Sequence, residues 1–166
     1  MRTITLSFLV IAAFLYGCTG NPDVEYDGGI GDSGPEINNG DGILKPLAGA
    51  ESKYYRFEKE HFESSLKEGK IIFLDFHASW CPTCLKEKPN ILAAFDELSN
   101  MDIVGYQVHY NDGQTTEDDK EMAKKYGITY QHTKVVIGKD GKVALKSLEV
   151  FSKEKIINEI NTAIMG

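Results

Sequence analysis

A chain of 166 residues has room for one ordinary domain and not two. With 42% hydrophobic and 26% charged residues, its composition is that of a globular protein. The net charge of −7 excludes the basic footprint of a nucleic-acid binder or of a protein drawn to anionic membranes by charge. That charge is uneven: residues 18–50 hold six acids against Lys45, whereas residues 51–166 set 19 acids against 16 bases.

Taken in chain order, Arg2 precedes an apolar run from Ile4 to Leu15, broken only by Thr5 and Ser7. This reads as an export signal and is too short for a confident spanning helix. It runs into Leu15-Tyr16-Gly17-Cys18, which resembles the bacterial lipoprotein signal, where the cysteine carries lipid and becomes the first mature residue. The alternatives are a plain signal peptide and an uncleaved anchor. The resemblance implies residues 1–17 as signal peptide, lipidation at Cys18, and an extracytoplasmic body anchored to a membrane at the periplasm or cell surface. Cysteine arithmetic agrees, because lipid on Cys18 leaves Cys81 and Cys84 as a pair with no odd thiol. Residues 18–50 hold eight of the sixteen glycines, with Asn, Asp and Pro interleaved and no helical or strand period. They read as a flexible acidic tether, leaving residues 51–166 as the folded domain.

Within that domain, Tyr54 to Phe57 reads as a short strand. Glu58 to Glu68 follows as a helix, with Phe62, Ser65 and Leu66 on one face and Gly69 as its end. Ile71 to Phe76 is an apolar run interrupted by Asp75, the pattern of a central strand covered on both sides. Pro82 to Leu98 reads as a helix with an apolar stripe of Ile91, Leu92, Phe95 and Leu98, kinked at Pro89. Ile103 to Tyr110 is a strand and Thr116 to Tyr126 a polar helix. Lys134 to Ile137 and Val143 to Leu148 flank the turn Gly138-Lys139-Asp140-Gly141 as a hairpin. Ser152 caps a last helix with Ile156, Ile157, Ile160 and Ile164 inward. Strands that alternate with helices and close in a hairpin predict an α/β fold of three layers, a mixed central sheet with helices on both faces.

The chemistry is expected in Trp80-Cys81-Pro82-Thr83-Cys84. Two cysteines at this spacing can close a small disulfide ring at a helix N-terminus, where the dipole favours a thiolate. Cys81 is expected to be the exposed nucleophile. Cys84, one turn inside, would resolve the mixed disulfide. A zinc site of the usual kind would need a second cysteine pair or paired histidines, and His61, His77, His109 and His132 show no paired spacing.

The stretch Phe73-Leu74-Asp75-Phe76-His77-Ala78-Ser79-Trp80-Cys81-Pro82-Thr83-Cys84 resembles the active-site segment of the thioredoxin superfamily. Pro89 matches the family's kink proline, Tyr126-Gly127-Ile128 its next strand entry and Gly141 its late hairpin glycine. Lys86-Glu87-Lys88-Pro89 also resembles membrane-tethered thioredoxins that serve cytochrome c maturation. The resemblance covers about residues 53 to 165. It implies a monomeric thioredoxin-like thiol-disulfide oxidoreductase that exchanges disulfides with client proteins, as reductant. It needs no organic cofactor and would draw electrons from a membrane thiol carrier. It also implies that Asp75 is a buried acid that takes the proton of Cys84, and that Trp80 packs beside the dithiol and covers it.

One departure stands out. All five prolines (Pro22, Pro35, Pro46, Pro82 and Pro89) precede residue 90, whereas the family carries a cis-proline in the loop facing the dithiol. Alignment on Tyr126-Gly127-Ile128 and Thr133 puts His132 there. A histidine could tune the dithiol, serve with Cys81 and Cys84 as a third ligand for copper or zinc in a metal-binding thiol protein, or be an ordinary loop residue. His77 stands where an aromatic is usual and is expected to be an exposed strand-end residue.

Overall fold

The computed structural model describes residues 44–165. The export signal, Cys18 and the tether up to residue 43 lie outside the described residues. Nine elements follow in order: β1 (Lys53–Arg56), α1 (Lys59–Lys67), β2 (Ile71–His77), α2 (Pro82–Glu97), β3 (Ile103–His109), α3 (Glu117–Lys125), β4 (Thr133–Ile137), β5 (Val143–Ser147) and α4 (Lys153–Met165). The sheet order is β1-β3-β2-β4-β5, with β1, β2 and β3 parallel and β4 and β5 antiparallel to their neighbours.

β2 is the central strand because every one of its seven residues is buried. Its alternate side chains serve two cores. Ile72, Leu74 and Phe76 meet Phe62 of α1 and Met122 and Ala123 of α3. Ile71 and Phe73 meet Ile91 and Phe95 of α2 and Ile156 and Ile160 of α4. The alternation of a strand then directs Asp75 to the α2–α4 side. On β3, a Cβ at Gly105 would lie 2.4 Å from the Phe95 ring and 2.6 Å from Tyr54, so only glycine lets Phe95 rest on the strand backbone. Ile164, expected inward, is instead 36% exposed, in a last turn of α4 where Thr162 and Met165 are exposed as well.

Local signals set the ends of the elements. Thr116 and Asp119 form a reciprocal capping box at α3. Ser152 Oγ accepts the Lys155 N–H at the start of α4. The hairpin closes through Gly138 N–H to Lys142 O, with Gly141 in the left-handed region at φ 76°. The last residues of the expected tether are fastened to the domain: Leu47 N–H donates to Tyr54 O, and Gly49 N–H donates to Asp96 Oδ1 at 2.8 Å.

Candidate active site

α2 begins at the dithiol. Cys81 is its N-cap, Pro82 fills the first helical position, where no N–H is needed, and Cys81 Sγ accepts the Cys84 N–H at 3.3 Å. A backbone donor and the positive end of the helix dipole therefore meet the Cys81 sulfur. Both cysteines are free thiols. The expectation of an exposed Cys81 is corrected: it is only 4% exposed and Cys84 3%, packed with Ala78, whose carbonyl receives the Cys81 N–H. Burial, then the hydrogen bond with Cys81, pushes the Cys84 thiol up to about 12, and the Asp75 charge adds to this. Cys84 therefore needs a base before it can attack at neutral pH.

Asp75 sits beneath, 3% exposed, with the Tyr54 hydroxyl donating to its Oδ2 at a long 3.4 Å. Burial first and the Glu87 charge second raise its carboxyl, against the opposing Lys134 charge, from 3.8 to about 7. A carboxyl that titrates near neutrality can take and return a proton. Between those two pH values the folded state holds a proton that the unfolded chain has lost. The stability from this group is thus full below about pH 4 and is lost as pH rises through about 7, on the order of 4 kcal/mol. Asp75→Asn should therefore match its parent in urea unfolding near pH 4 and exceed it by a few kcal/mol near pH 8. Equal stabilities at both pH values would remove this reading of Asp75.

Two buried charges beside Asp75 went unrecognised in the sequence. Glu87 of α2 and Lys134 of β4 are 1% and 0% exposed, with Lys134 Nζ donating to Oε2 at 2.9 Å and Oε1 at 3.1 Å. Lys134 also donates to Glu149 O, and Glu87 accepts the Phe151 N–H, so the pair ties α2 and β4 to the segment before α4. The signals were present: Glu87 stands four residues before Ile91 on the apolar stripe, and Lys134 opens an otherwise apolar strand.

His132 enters this group. It precedes β4 in the left-handed region at φ 67°, and its N–H donates to Phe76 O at 2.6 Å, extending the ladder. A non-glycine residue there costs about 1 kcal/mol, which these bonds offset. Its Nε2 lies 3.2 Å from Lys134 Nζ. Its Nδ1 lies 3.0 Å from Glu87 Oε2 but without hydrogen-bond geometry. Burial, then Lys134, lowers the imidazole below its usual range. The reading of Cys81, Cys84 and His132 as a metal site is corrected: Nε2 of the ring is taken by Lys134, and no group of three or more His, Cys, Asp or Glu among the described residues is arranged to hold a metal ion.

The loop before the dithiol is fixed from the loop that follows β3. Asp112 Oδ2 accepts the Ser79 N–H at 2.9 Å and faces His109 Nδ1 at 2.8 Å. Burial pushes the Asp112 carboxyl up, but the Ser79 N–H, His109 and the Gln114 N–H together bring it down to about 2. His77 is not the exposed strand-end residue expected. It is fully buried, edge-on to His109 with ring centroids 5.7 Å apart, because β2 stays covered to its last residue. Trp80, next to Cys81 in the chain, keeps its ring at the surface. It is 55% exposed, held by its indole N–H to Asn111 O at 2.9 Å.

A family model for thioredoxin matches residues 53–162. The chain belongs to the thioredoxin family. It is 31% identical over 98 residues to a thioredoxin of Mycoplasmopsis pulmonis, a stretch covering 57% of this chain and 84% of that one. It is 30% identical over 77 residues to thioredoxin H2 of Arabidopsis thaliana, covering 46% of this chain and about half (52%) of that relative. Thioredoxin f from spinach chloroplast superposes with a TM-score of 0.54 at 20% identity, covering 72% of this chain and 98% of that one, which shows a shared fold. At the level of the thioredoxin family, these relationships imply thiol-disulfide oxidoreductase activity.

Proposed function

We propose that this thioredoxin-family protein is an exported, lipid-anchored reductant of client protein disulfides. The observation that carries the reading is the order of groups at the head of α2: Cys81 as N-cap with a backbone N–H on its sulfur, Cys84 one turn in with a thiol that needs a base, and Asp75 buried beneath, titrating near neutrality. Cys81 attacks one sulfur of a client disulfide and forms a mixed disulfide. Cys84 gives its proton to Asp75 and attacks Cys81 Sγ. The client leaves as a dithiol, two electrons richer, and the Cys81–Cys84 disulfide remains. A membrane thiol carrier would then restore the dithiol.

Insulin reduction by the reduced protein tests the activity, and Cys81→Ser should abolish it. A reduction potential near about −270 mV is expected for a reductant, whereas one near about −120 mV would make the protein an oxidant and overturn the direction. The anchor rests on the export signal and Cys18. Mass spectrometry of the membrane-associated protein should find lipid on Cys18, and Cys18→Ser should release the protein from the membrane.

A further inference from the structure

Asp75, Glu87, His132 and Lys134 are buried together beneath the head of α2, and the chemistry above uses only Asp75. Asp75 and Lys134 are direct partners in the β2–β4 ladder. Glu87 is three residues after Cys84 on α2, so the two share a helix face. The Lys134 ammonium has three N–H bonds and three acceptors, namely the Glu87 carboxylate, the Glu149 carbonyl and His132 Nε2. An Nε2 that accepts puts the imidazole proton on Nδ1, so His132 is neutral. Glu87 is filled from its other side by the Phe151 N–H. Both groups are thus saturated with hydrogen-bond partners, which offsets the cost of taking a buried pair out of water. Asp75, by contrast, has the long bond from Tyr54 as its hydrogen bond among the described residues.

We propose that Lys134 and Glu87 are positioning residues for the resolving step: a saturated ion pair of fixed charge that leaves Asp75 as the one group beneath Cys84 free to take and return a proton. The inference rests on the proposed oxidoreductase activity. The Cys84 S–H bond breaks and its proton passes to Asp75. The sulfur electron pair forms a bond to Cys81 Sγ. The bond between Cys81 Sγ and the client sulfur breaks, and the client sulfur leaves with the electron pair of that broken bond and receives the proton from Asp75. Lys134 and Glu87 exchange no proton at any point.

The groups that face Asp75 come from every neighbouring element. They are Tyr54 from β1, uncharged Gln107 opposite it on β3, Cys84, Glu87 and half-buried Lys88 from α2, Lys134 from β4 and neutral His132 from the loop before it. Only Glu87 and Lys134 are fully buried charges of opposite sign, so removing either one leaves Asp75 beside the other, uncompensated. Without Lys134, Asp75 should keep its proton to higher pH, and without Glu87 it should lose it at lower pH, each by on the order of one pH unit. A purely structural pair would lower stability from either side but would not move one proton in opposite directions.

The test is a carboxyl carbon NMR titration of Asp75 in the full-length reduced protein, for wild type, Glu87→Gln, Lys134→Met and the double variant, with the pH midpoint of client release from a preformed mixed disulfide measured in each. The expected result is a downward shift in Glu87→Gln, an upward shift in Lys134→Met, a return towards wild type in the double variant, and release midpoints that follow. Shifts in one common direction, or none, overturn the proposal. So does a release midpoint that stays put while Asp75 moves. If Lys134→Met does not fold, Glu87→Gln and the double variant still carry the comparison. The titration needs no client, so absent insulin reduction with opposed shifts would count against the activity alone, and normal reduction without them against the ion pair alone.

Discussion

Cys84→Ser is expected to leave the protein covalently joined to its clients. Cys81 keeps its place as N-cap of α2 and can still attack, but the sulfur that would displace the client is gone. Attack from a neighbour on the same helix turn has an effective concentration far above that of any free thiol in solution. Release should therefore slow by at least about 10³-fold, leaving a stable adduct on Cys81. Mass spectrometry after a single turnover with a peptide disulfide reads this directly. Cys81→Ser should give no adduct, because the Cys84 thiol lies one turn inside α2 and is pushed up to about 12. An adduct on Cys84, or continued turnover without it, would reverse the assigned roles.

The second large effect is on stability. Breaking the Glu87–Lys134 pair from one side leaves a charge in a site that is 0–1% exposed. Lys134→Met or Glu87→Gln should each cost about 3–5 kcal/mol in urea unfolding at neutral pH. The double variant should cost much less than the sum of the two, because neither charge is then stranded. Single changes that cost under about 1 kcal/mol would mean that water reaches the pair and the site is not dry.

The strand and helix order, the capping residues and the dithiol were legible in the sequence because each rests on local chemistry. Thr116 and Ser152 act within a few residues of where they stand, and the fully buried run of β2 announces a central strand. Asp75 was legible because a lone acid inside that run calls for a reason. What escaped depends on which strands become neighbours. Glu87 and Lys134 are 47 residues apart, and they meet only once β4 is laid against β2 under α2. His132 could be placed in its loop by alignment, but that Lys134 would meet its ring beside Glu87 could not be read without them. His77 was misread because a polar residue at a strand end usually meets solvent, and here His109 and the covered end of β2 enclose it.

The half-exposed ring beside Cys81 has an optical consequence. Trp80 is the only tryptophan among the chain's 166 residues, and it is the chain neighbour of Cys81, whose sulfur changes its bonding in the proposed cycle. Its indole N–H is anchored to Asn111 O, so the chromophore stands in a fixed place while the chemistry beside it alternates. Thiols and disulfides quench a neighbouring indole to different extents. The protein therefore carries an intrinsic gauge of its own oxidation state, and stopped-flow emission can follow electrons through Cys81 and Cys84 with no label attached.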